Sequence, residues 1–468
     1  GGDDGVGSDL LGNGTLANPW LTIQHAISNS SVHDGDAIRV LAGTSVENVN
    51  VNRQLTIQTK GGYSSTTVEA SSPSDHVFEV TDDYVTIEGF TIYGATEDTK
   101  AGVYLGNNTD HCTIKDNRCG WDGTHKNCHG IRLSDSSNNT ISGNTCSNNS
   151  ECGIYLYNSS NNAISGNTCL NNDYGIYLYN SSNNAISGNT CNYNSSSGIS
   201  VYDSSNNTIS DNTCSNNHYG IYPSNSSTNN TISGNTCSNN NFGSIRLYDS
   251  SNNTLYLNNF TNVVSDSTNS WKSPTEMCYF YASSHKSYMG NYYSNMDHTD
   301  SDGDGITDAD YNFPNFEPDD EYPLTATSDN YSLMAWWLSN PTMYKADMTK
   351  GPGSVTISGE HSWVWVADEA AECDVTFPND TWTGQLTFTS DVTGEWFNLR
   401  VGYADSYGTG FTSGGPEAAL TGTGTTFTYT TSSQSFTVPT GKYLALQITN
   451  NSGSDYGVQV GGAWSYLS

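Results

Sequence analysis

A chain of 468 residues has room for two or three domains. Only 13% of its residues are charged and 34% are hydrophobic, a balance that fits disorder unless the polar residues keep register with apolar ones. The 15 basic against 48 acidic residues leave a formal net charge of −33, which repels nucleic acid and anionic lipid and attracts divalent cations. No apolar run approaches the ~20 residues needed to span a membrane, so no nucleic-acid partner and no membrane span are expected.

The opening Gly-Gly-Asp-Asp reads as a processed N-terminus, without a signal-peptide pattern. Residues 18–27, Asn-Pro-Trp-Leu-Thr-Ile-Gln-His-Ala-Ile, predict a short capping helix. Asn18 would be its N-cap and Pro19 its first residue, with Trp20, Ile23 and Ile27 turned toward the next layer of chain.

One block then recurs, beginning with Ser-Ser-Asn-Asn-Thr-Ile-Ser-Gly-Asn-Thr-Cys at 136–146. Variants end at Cys169, Cys191, Cys214 and Cys237, with spacings of 23, 22, 23 and 23. A degraded copy ends at Cys119, and a last copy has Phe260 in the Cys column. Between blocks lies a second motif, Gly-Ile-Tyr-Leu-Tyr at 153–157 and 175–179. Both motifs alternate apolar and polar residues, the period of a strand with one buried face. Ile141, Ile154 and Leu156 should point inward, Tyr155 and Tyr157 outward. Strands this short bury their faces only by stacking coil on coil about 4.8 Å apart, which makes a parallel β-solenoid. Identical residues then stack in columns, and stacked Asn side chains would hydrogen-bond along a ladder.

The Asn-Asn-Thr-Ile-Ser-Gly-Asn-Thr blocks, the opening 14–27 and the segment from Asn269-Ser-Trp to Tyr322-Pro-Leu resemble the NosD-type repeat proteins of archaeal cell surfaces. The resemblance spans roughly residues 10–325. It implies an all-β, right-handed parallel β-helix of the pectin-lyase-like kind and an extracellular setting, while leaving activity open. The division expected is 1–98 for the cap and first coils, 99–262 for the regular repeats, 263–328 for the exit and 329–468 for a further domain.

The chain has 11 cysteines. Those of the repeat column would sit about 4.8 Å apart, longer than the ~3.5–4.5 Å between the Cβ atoms of a disulfide, and read as buried free thiols. Cys128 and Cys152, at a turn of adjacent coils, are expected to form a disulfide. Cys112, Cys278 and Cys373 are unassigned. The sequence holds 16 Asn-Xaa-Ser/Thr sequons, with Asn138, Asn158, Asn180, Asn206 and Asn252 as glycan acceptors in a secreted protein. An Asn/Ser/Thr-rich repeat also makes such triplets by chance.

At the exit lies Asp300-Ser-Asp302-Gly-Asp304-Gly305-Ile306-Thr-Asp308-Ala-Asp310. Carboxylates at alternate positions with a turn-permitting Gly wrap a hard cation in oxygen ligands. The segment resembles the calcium loops of EF-hand and thrombospondin type-3 proteins. Carried over, Asp300, Asp302, Asp304 and Asp308 would give side-chain ligands and Ile306 its carbonyl, to a structural Ca²⁺. Tyr311 stands where an EF-hand has Glu. From about residue 329 the repeat stops and short alternating strands predict an antiparallel β-sandwich or jelly roll. Trp336, Trp337 and Trp382 there are either surface aromatics or core.

Catalysis finds little support. No Lys or Arg occurs from Leu133 to Ile245, Asp203 and Asp211 fall on different parts of the coil, and His129-Gly130 with Arg132 is a lone fragment of a polygalacturonase-like site. The repeat instead offers two tyrosine stripes, Tyr155, Tyr177 and Tyr222, and Tyr157, Tyr179, Tyr202 and Tyr248. They would stack on glycans, pack on a neighbouring subunit, or simply reflect β-propensity. The reading preferred is an extracellular structural subunit that self-assembles into a filament, sheath or surface layer. A polysaccharide-binding or adhesin module is the alternative, and a polysaccharide lyase or hydrolase the third.

Overall fold

The computed structural model describes residues 7–312 apart from residue 107, residues 319–333, and the strands that fall between 353 and 467. It divides into two compact units, residues 1–276 with 288–330, and residues 277–287 with 331–468.

The first unit is a parallel β-solenoid. Two ten-stranded sheets run its length. One passes through Thr113–Lys115, Thr140–Ser142, Ala163–Ser165 and their equivalents to Thr254–Tyr256. The other passes through His129–Ser134, Cys152–Tyr157, Tyr174–Tyr179, Ser197–Tyr202 and Tyr219–Ser224. A third line begins as a four-stranded sheet ending in Arg118–Cys119 and continues as single parallel bridges from Arg118 through Thr145, Thr168, Thr190 and Thr213 to Thr236. Register is strict: Ile131 pairs with Ile154, Ile154 with Ile176, Ile176 with Ile199, and Ile199 with Ile221. A one-residue slip would turn every apolar side chain outward. Ile141, Ile154 and Leu156 are fully buried while Tyr155 and Tyr157 stand half-exposed, as the alternation predicts.

The interior is held by side-chain amides as well as by apolar packing. In Asn-Asn of each block the first residue takes a left-handed backbone, as at Asn138, Asn161, Asn183 and Asn206 (φ 57–60°), a conformation Asn tolerates. The second is buried and joins a ladder. A parallel ladder runs from Asn117 through Asn144, Asn167, Asn189, Asn212, Asn235 and Asn258 to Asn291. At each rung the backbone N–H and Nδ2 of one Asn donate to Oδ1 of the next, as in Asn144 to Asn167 at 2.9 and 3.0 Å. Nδ2 also donates to a carbonyl of the preceding coil, Ile114 at 2.8 Å for Asn144. A buried turn thus keeps its polar groups satisfied without water. A third ladder runs from Asn127 through Asn149, Asn172 and Asn194 to Asn217.

The repeat cysteines form the third corner. Cys119, Cys146, Cys169, Cys191, Cys214 and Cys237 are free thiols with no exposed surface. Burial raises the Cys146 and Cys214 thiols, so they stay neutral. A glycine column packs over them. A Cβ on Gly175 would lie 2.4 Å from the Gly198 carbonyl oxygen and 2.9 Å from Cys191 Cβ.

The N-terminal helix differs from the sequence expectation. It covers Ile23–Ser28, and Thr22, not Asn18, is its N-cap, accepting from His25 N–H at 3.1 Å. The reason is long-range. The Glu47 carboxylate accepts from the Ile23 and Gln24 N–H groups, both at 2.9 Å, and Asp9 receives the Thr22 hydroxyl at 2.9 Å. Ile23 and Ile27 do face the core, and Trp20 packs partly buried against it.

In the second unit, Met277–Tyr281 and Ser283–Ser287 form an antiparallel hairpin that also pairs with Ser332–Leu333. The remaining strands form antiparallel sheets, among them His361–Val366 with Tyr443–Asn450 and Phe397–Ala404, and Thr383–Thr393 with Thr423–Thr430. Phe397, Leu399 and Val401 are buried in alternation with their neighbours. Trp336, Trp337, Trp382 and Cys373 lie outside the described residues.

Candidate functional site

The acidic loop of the solenoid exit gathers ligand-type oxygens. One carboxylate oxygen each from Asp300, Asp302 and Asp304 lies within 4.8 Å of the others. Backbone donors shape the turn. Asp300 accepts from Gly303 and Gly305 N–H at 2.7 and 2.9 Å, and Asp304 accepts from Ile306 N–H at 2.7 Å. Gly303 and Gly305 have φ of 77° and 87°, which glycine alone adopts without strain. Asp308 stands apart from that group, its Oδ2 accepting from the Ser301 N–H at 3.1 Å and hydroxyl at 2.5 Å.

Cys128 and Cys152 are both free, which corrects the expected disulfide. The register that pairs Ile131 with Ile154 places Cys152 alongside His129, one residue past Cys128. Cys128 instead neighbours Glu151, whose N–H donates to the Cys128 carbonyl at 2.9 Å. Cys112 is also free and buried, its thiol pushed up to about 12 by burial.

The five sequon asparagines lie on two turns, Asn138, Asn206 and Asn252 opening the Asn-Asn pair and Asn158 and Asn180 just after the strands Cys152–Tyr157 and Tyr174–Tyr179, all with positive φ. Asn138, Asn180, Asn206 and Asn252 are exposed and Asn158 is half-buried. Asn158 and Asn180 are engaged in an outer ladder. Asn180 Nδ2 donates to Asn158 Oδ1 at 2.7 Å, and Asn158 Nδ2 to Asp135 at 3.1 Å.

The tyrosine stripes exist, with a geometry the sequence does not show. Tyr157 stacks on Tyr179 and Tyr179 on Tyr202, with centroids 5.5 and 5.1 Å apart and interplanar angles of 14° and 7°. Tyr155 stacks on Tyr177 at 5.3 Å and 17°. Rings piled along the coil repeat place their faces against each other. Tyr222 stacks on Tyr219, and Tyr248 is exposed. Two arginines complete the first stripe, Arg132 in register between Tyr104 and Tyr155, and Arg246 beyond Tyr222. Arg132 lies 5.9 and 5.4 Å from the ring centres of Tyr104 and Tyr155. The sequence signal was there, since the run without basic residues is bounded by these two arginines, but only the register reveals that they share a column.

Beside Arg132 is His129, which the sequence offered only within a lone polygalacturonase-like fragment. His129 is 2% exposed, and its Nδ1 has no hydrogen-bond partner among the described residues. Its Nε2 lies 3.5 Å from Glu151 Oε2. Burial, then the Arg132 charge and His76, hold His129 down to about 3. His76 stacks on Tyr104 at 4.1 Å, and its Nδ1 accepts from the Ala101 N–H.

Residues 75–237 match the family model described as right handed beta helix region. This solenoid is a right-handed parallel β-helix. A curated relative, a cell surface glycoprotein of Methanothermus fervidus, is 34% identical over 112 residues, covering 24% of this chain and 18% of that protein. The chain therefore spans less than a fifth of the length of that relative. Among solved structures, tailspike protein 2 from Escherichia coli O157:H7 bacteriophage CAB120 aligns at 14% identity over 92% of this chain and 67% of its own, with a TM-score of 0.44. The A-module of the mannuronan C-5 epimerase AlgE6 of Azotobacter vinelandii aligns at 16% identity over 53% and 85%, with a TM-score of 0.40. No helix among the described residues is long and apolar enough to cross a membrane.

Proposed function

We propose that this chain is an extracellular structural protein, a cell-surface subunit that self-assembles into a filament, sheath or surface layer. The observation that carries the reading is the set of unbroken polar ladders through the β-helix. They join each coil to the next by side chain as well as backbone, which stiffens a rod along its axis. The tyrosine stacks support the same reading, because sugar stacking needs open ring faces and these rings face one another. The cell surface glycoprotein relative fits the location, and the exposed sequons fit glycosylation there. The acidic loop fits a structural Ca²⁺ held by Asp300, Asp302 and Asp304 with the Ile306 carbonyl, Asp308 entering only if Ser301 releases it. The antiparallel sheets of the second unit fit a β-sandwich.

The test is electron microscopy of the purified chain with and without Ca²⁺. Ordered filaments or sheets are expected, and monodisperse particles under every condition would overturn the proposal. A second reading, a polysaccharide-binding module, is favoured by one feature, the Arg132 guanidinium set between Tyr104 and Tyr155, which suits an acidic sugar. Binding of acidic glycans by a stable monomer, lost in Arg132→Ala, would select it. A hydrolase or lyase is the least supported. His129 is held far below neutrality, so it is poorly matched to act as a base at pH 7.

A further inference from the structure

We propose that Cys128, His129 and Glu151 form a binding site for a borderline transition-metal ion of the Zn²⁺ type, separate from the acidic loop. One ligand atom from each residue lies within 4.8 Å of the other two. The three come from the starts of two adjacent coils. His129 opens one strand of the sheet with Cys128 just before it, and Glu151 immediately precedes the next. The parallel register brings them together.

Three observations point to an ion. First, three donor groups of different type converge at His129, whose ring is only 2% exposed. Second, Nε2 and Glu151 Oε2 are 3.5 Å apart. That is long for a hydrogen bond, but it matches the edge of a tetrahedron around Zn²⁺, about 3.3–3.7 Å for the usual bond lengths. Third, the strict parallel register of the two strands fixes these donors relative to one another. Cys128 is a free thiol, buried, with the Thr99 N–H directed at its sulfur. Burial and the Glu151 charge raise this thiol above its ordinary value despite that donor and Arg132, so it keeps its proton until an ion binds, and on binding that proton would pass to solvent.

The donor set decides the metal class. Sulfur, imidazole and one carboxylate select Zn²⁺ or Co²⁺ over Ca²⁺, which takes oxygens alone. Three protein donors leave a fourth position for water. Arg132, Tyr104 and Tyr155 lie on the same face, so a ligand reaching this position would also meet the arginine.

The experiment is a Co²⁺ titration of the reduced full chain in excess Ca²⁺, followed by Zn²⁺ displacement. One equivalent of Co²⁺ should bind with thiolate-to-cobalt charge-transfer absorption, and Zn²⁺ should abolish it. Cys128→Ser should lose the absorption. Glu151→Gln, at an exposed side chain with no fold to disturb, should weaken Zn²⁺ affinity by at least about tenfold, the size of loss that even an outer-shell change causes. Asp304→Asn should leave both readouts unchanged. No thiolate absorption in the wild-type chain, or its persistence in folded Cys128→Ser, would overturn the proposal. So would an unchanged affinity in Glu151→Gln.

Discussion

At the residue scale the buried asparagine is the unit of this fold. Asn189 Oδ1 accepts from the Asn167 N–H and Nδ2 at 2.9 and 3.0 Å, while its own Nδ2 serves the Ile164 carbonyl and Asn212 Oδ1, both at 2.9 Å. Alanine there would strand two donors and an acceptor on the preceding coil and leave an acceptor on the following one short of a donor. Each buried orphan costs about 1–3 kcal/mol, so Asn189→Ala should lower the stability of the β-helix by roughly 3 kcal/mol or more. A shift of the urea midpoint against wild type measures it. An apolar residue of similar volume would fare no better, because two of the partners, the Asn167 N–H and the Ile164 carbonyl, are main-chain groups that cannot be removed with it. The same Asn-Asn pair explains the sequons at Asn138, Asn206 and Asn252. The exposed first residue is placed by its tolerance of positive φ, the buried second by the ladder.

At the scale of elements, the corner between the second-motif strand and the cysteine line is set by small residues on both sides. Gly153, Gly175, Gly198 and Gly220 each leave less than 3 Å between a would-be Cβ and both a backbone oxygen and a cysteine Cβ of a neighbouring coil. The opposing atom is backbone, which has nowhere to move without breaking the coil-to-coil pairing. Gly175→Ala should therefore destabilise more than its small size implies, by about 1–3 kcal/mol as overpacking does. Hydrogen exchange should show the loss centred on the strands Cys152–Tyr157, Tyr174–Tyr179 and Ser197–Tyr202. Solenoid coils contact mainly their neighbours, so exchange at Val49–Val51 should change little.

Across the β-helix as a whole, the ladder that starts at Asn117 ends on a carboxylate. Asn291 N–H and Nδ2 donate to Asp320 Oδ2 at 2.9 and 3.3 Å, and the Tyr293 hydroxyl donates to the same oxygen at 3.0 Å. The Tyr322 N–H donates to Oδ1 at 3.0 Å. Every amide in the ladder points its Nδ2 toward this end, so the aligned dipoles meet Asp320 with their positive ends. Complete burial nonetheless pushes the carboxyl up to about 7 from its ordinary 3.8, the four donors opposing that rise. The folded value exceeds the unfolded one, so the folded state holds the proton more tightly. Its stabilising contribution is full below about pH 4, falls as pH rises toward 7, and declines no further above that. The slope attributable to Asp320 should approach about 1.4 kcal/mol per pH unit in that window. Subtracting the profile of Asp320→Asn from wild type isolates it, since the other carboxylates are common to both. Identical slopes would show that the ladder dipoles and donors hold Asp320 ionised throughout.

Much of this was legible in the chain itself. A period of about 23 residues, alternating strands and a repeated Asn specify a parallel solenoid with inward Ile154 and Leu156, a buried Cys column and amide ladders, because each rests on local spacing that the coil repeats. What only the tertiary structure decided involves residues brought together by register. Glu47 caps a helix more than twenty residues before it, and moves the start of that helix from Asn18 to Thr22. Cys128 meets Glu151 and not Cys152, because parallel pairing offsets the two cysteines by one residue. Arg132 and Arg246 share one column with Tyr104, Tyr155, Tyr177 and Tyr222, though in sequence they read as two unrelated basic residues. A repeat declares its own columns, but where the repeat is broken, as at His129 and at the exit near Asp320, neighbours depend on loop lengths and register that no local pattern carries.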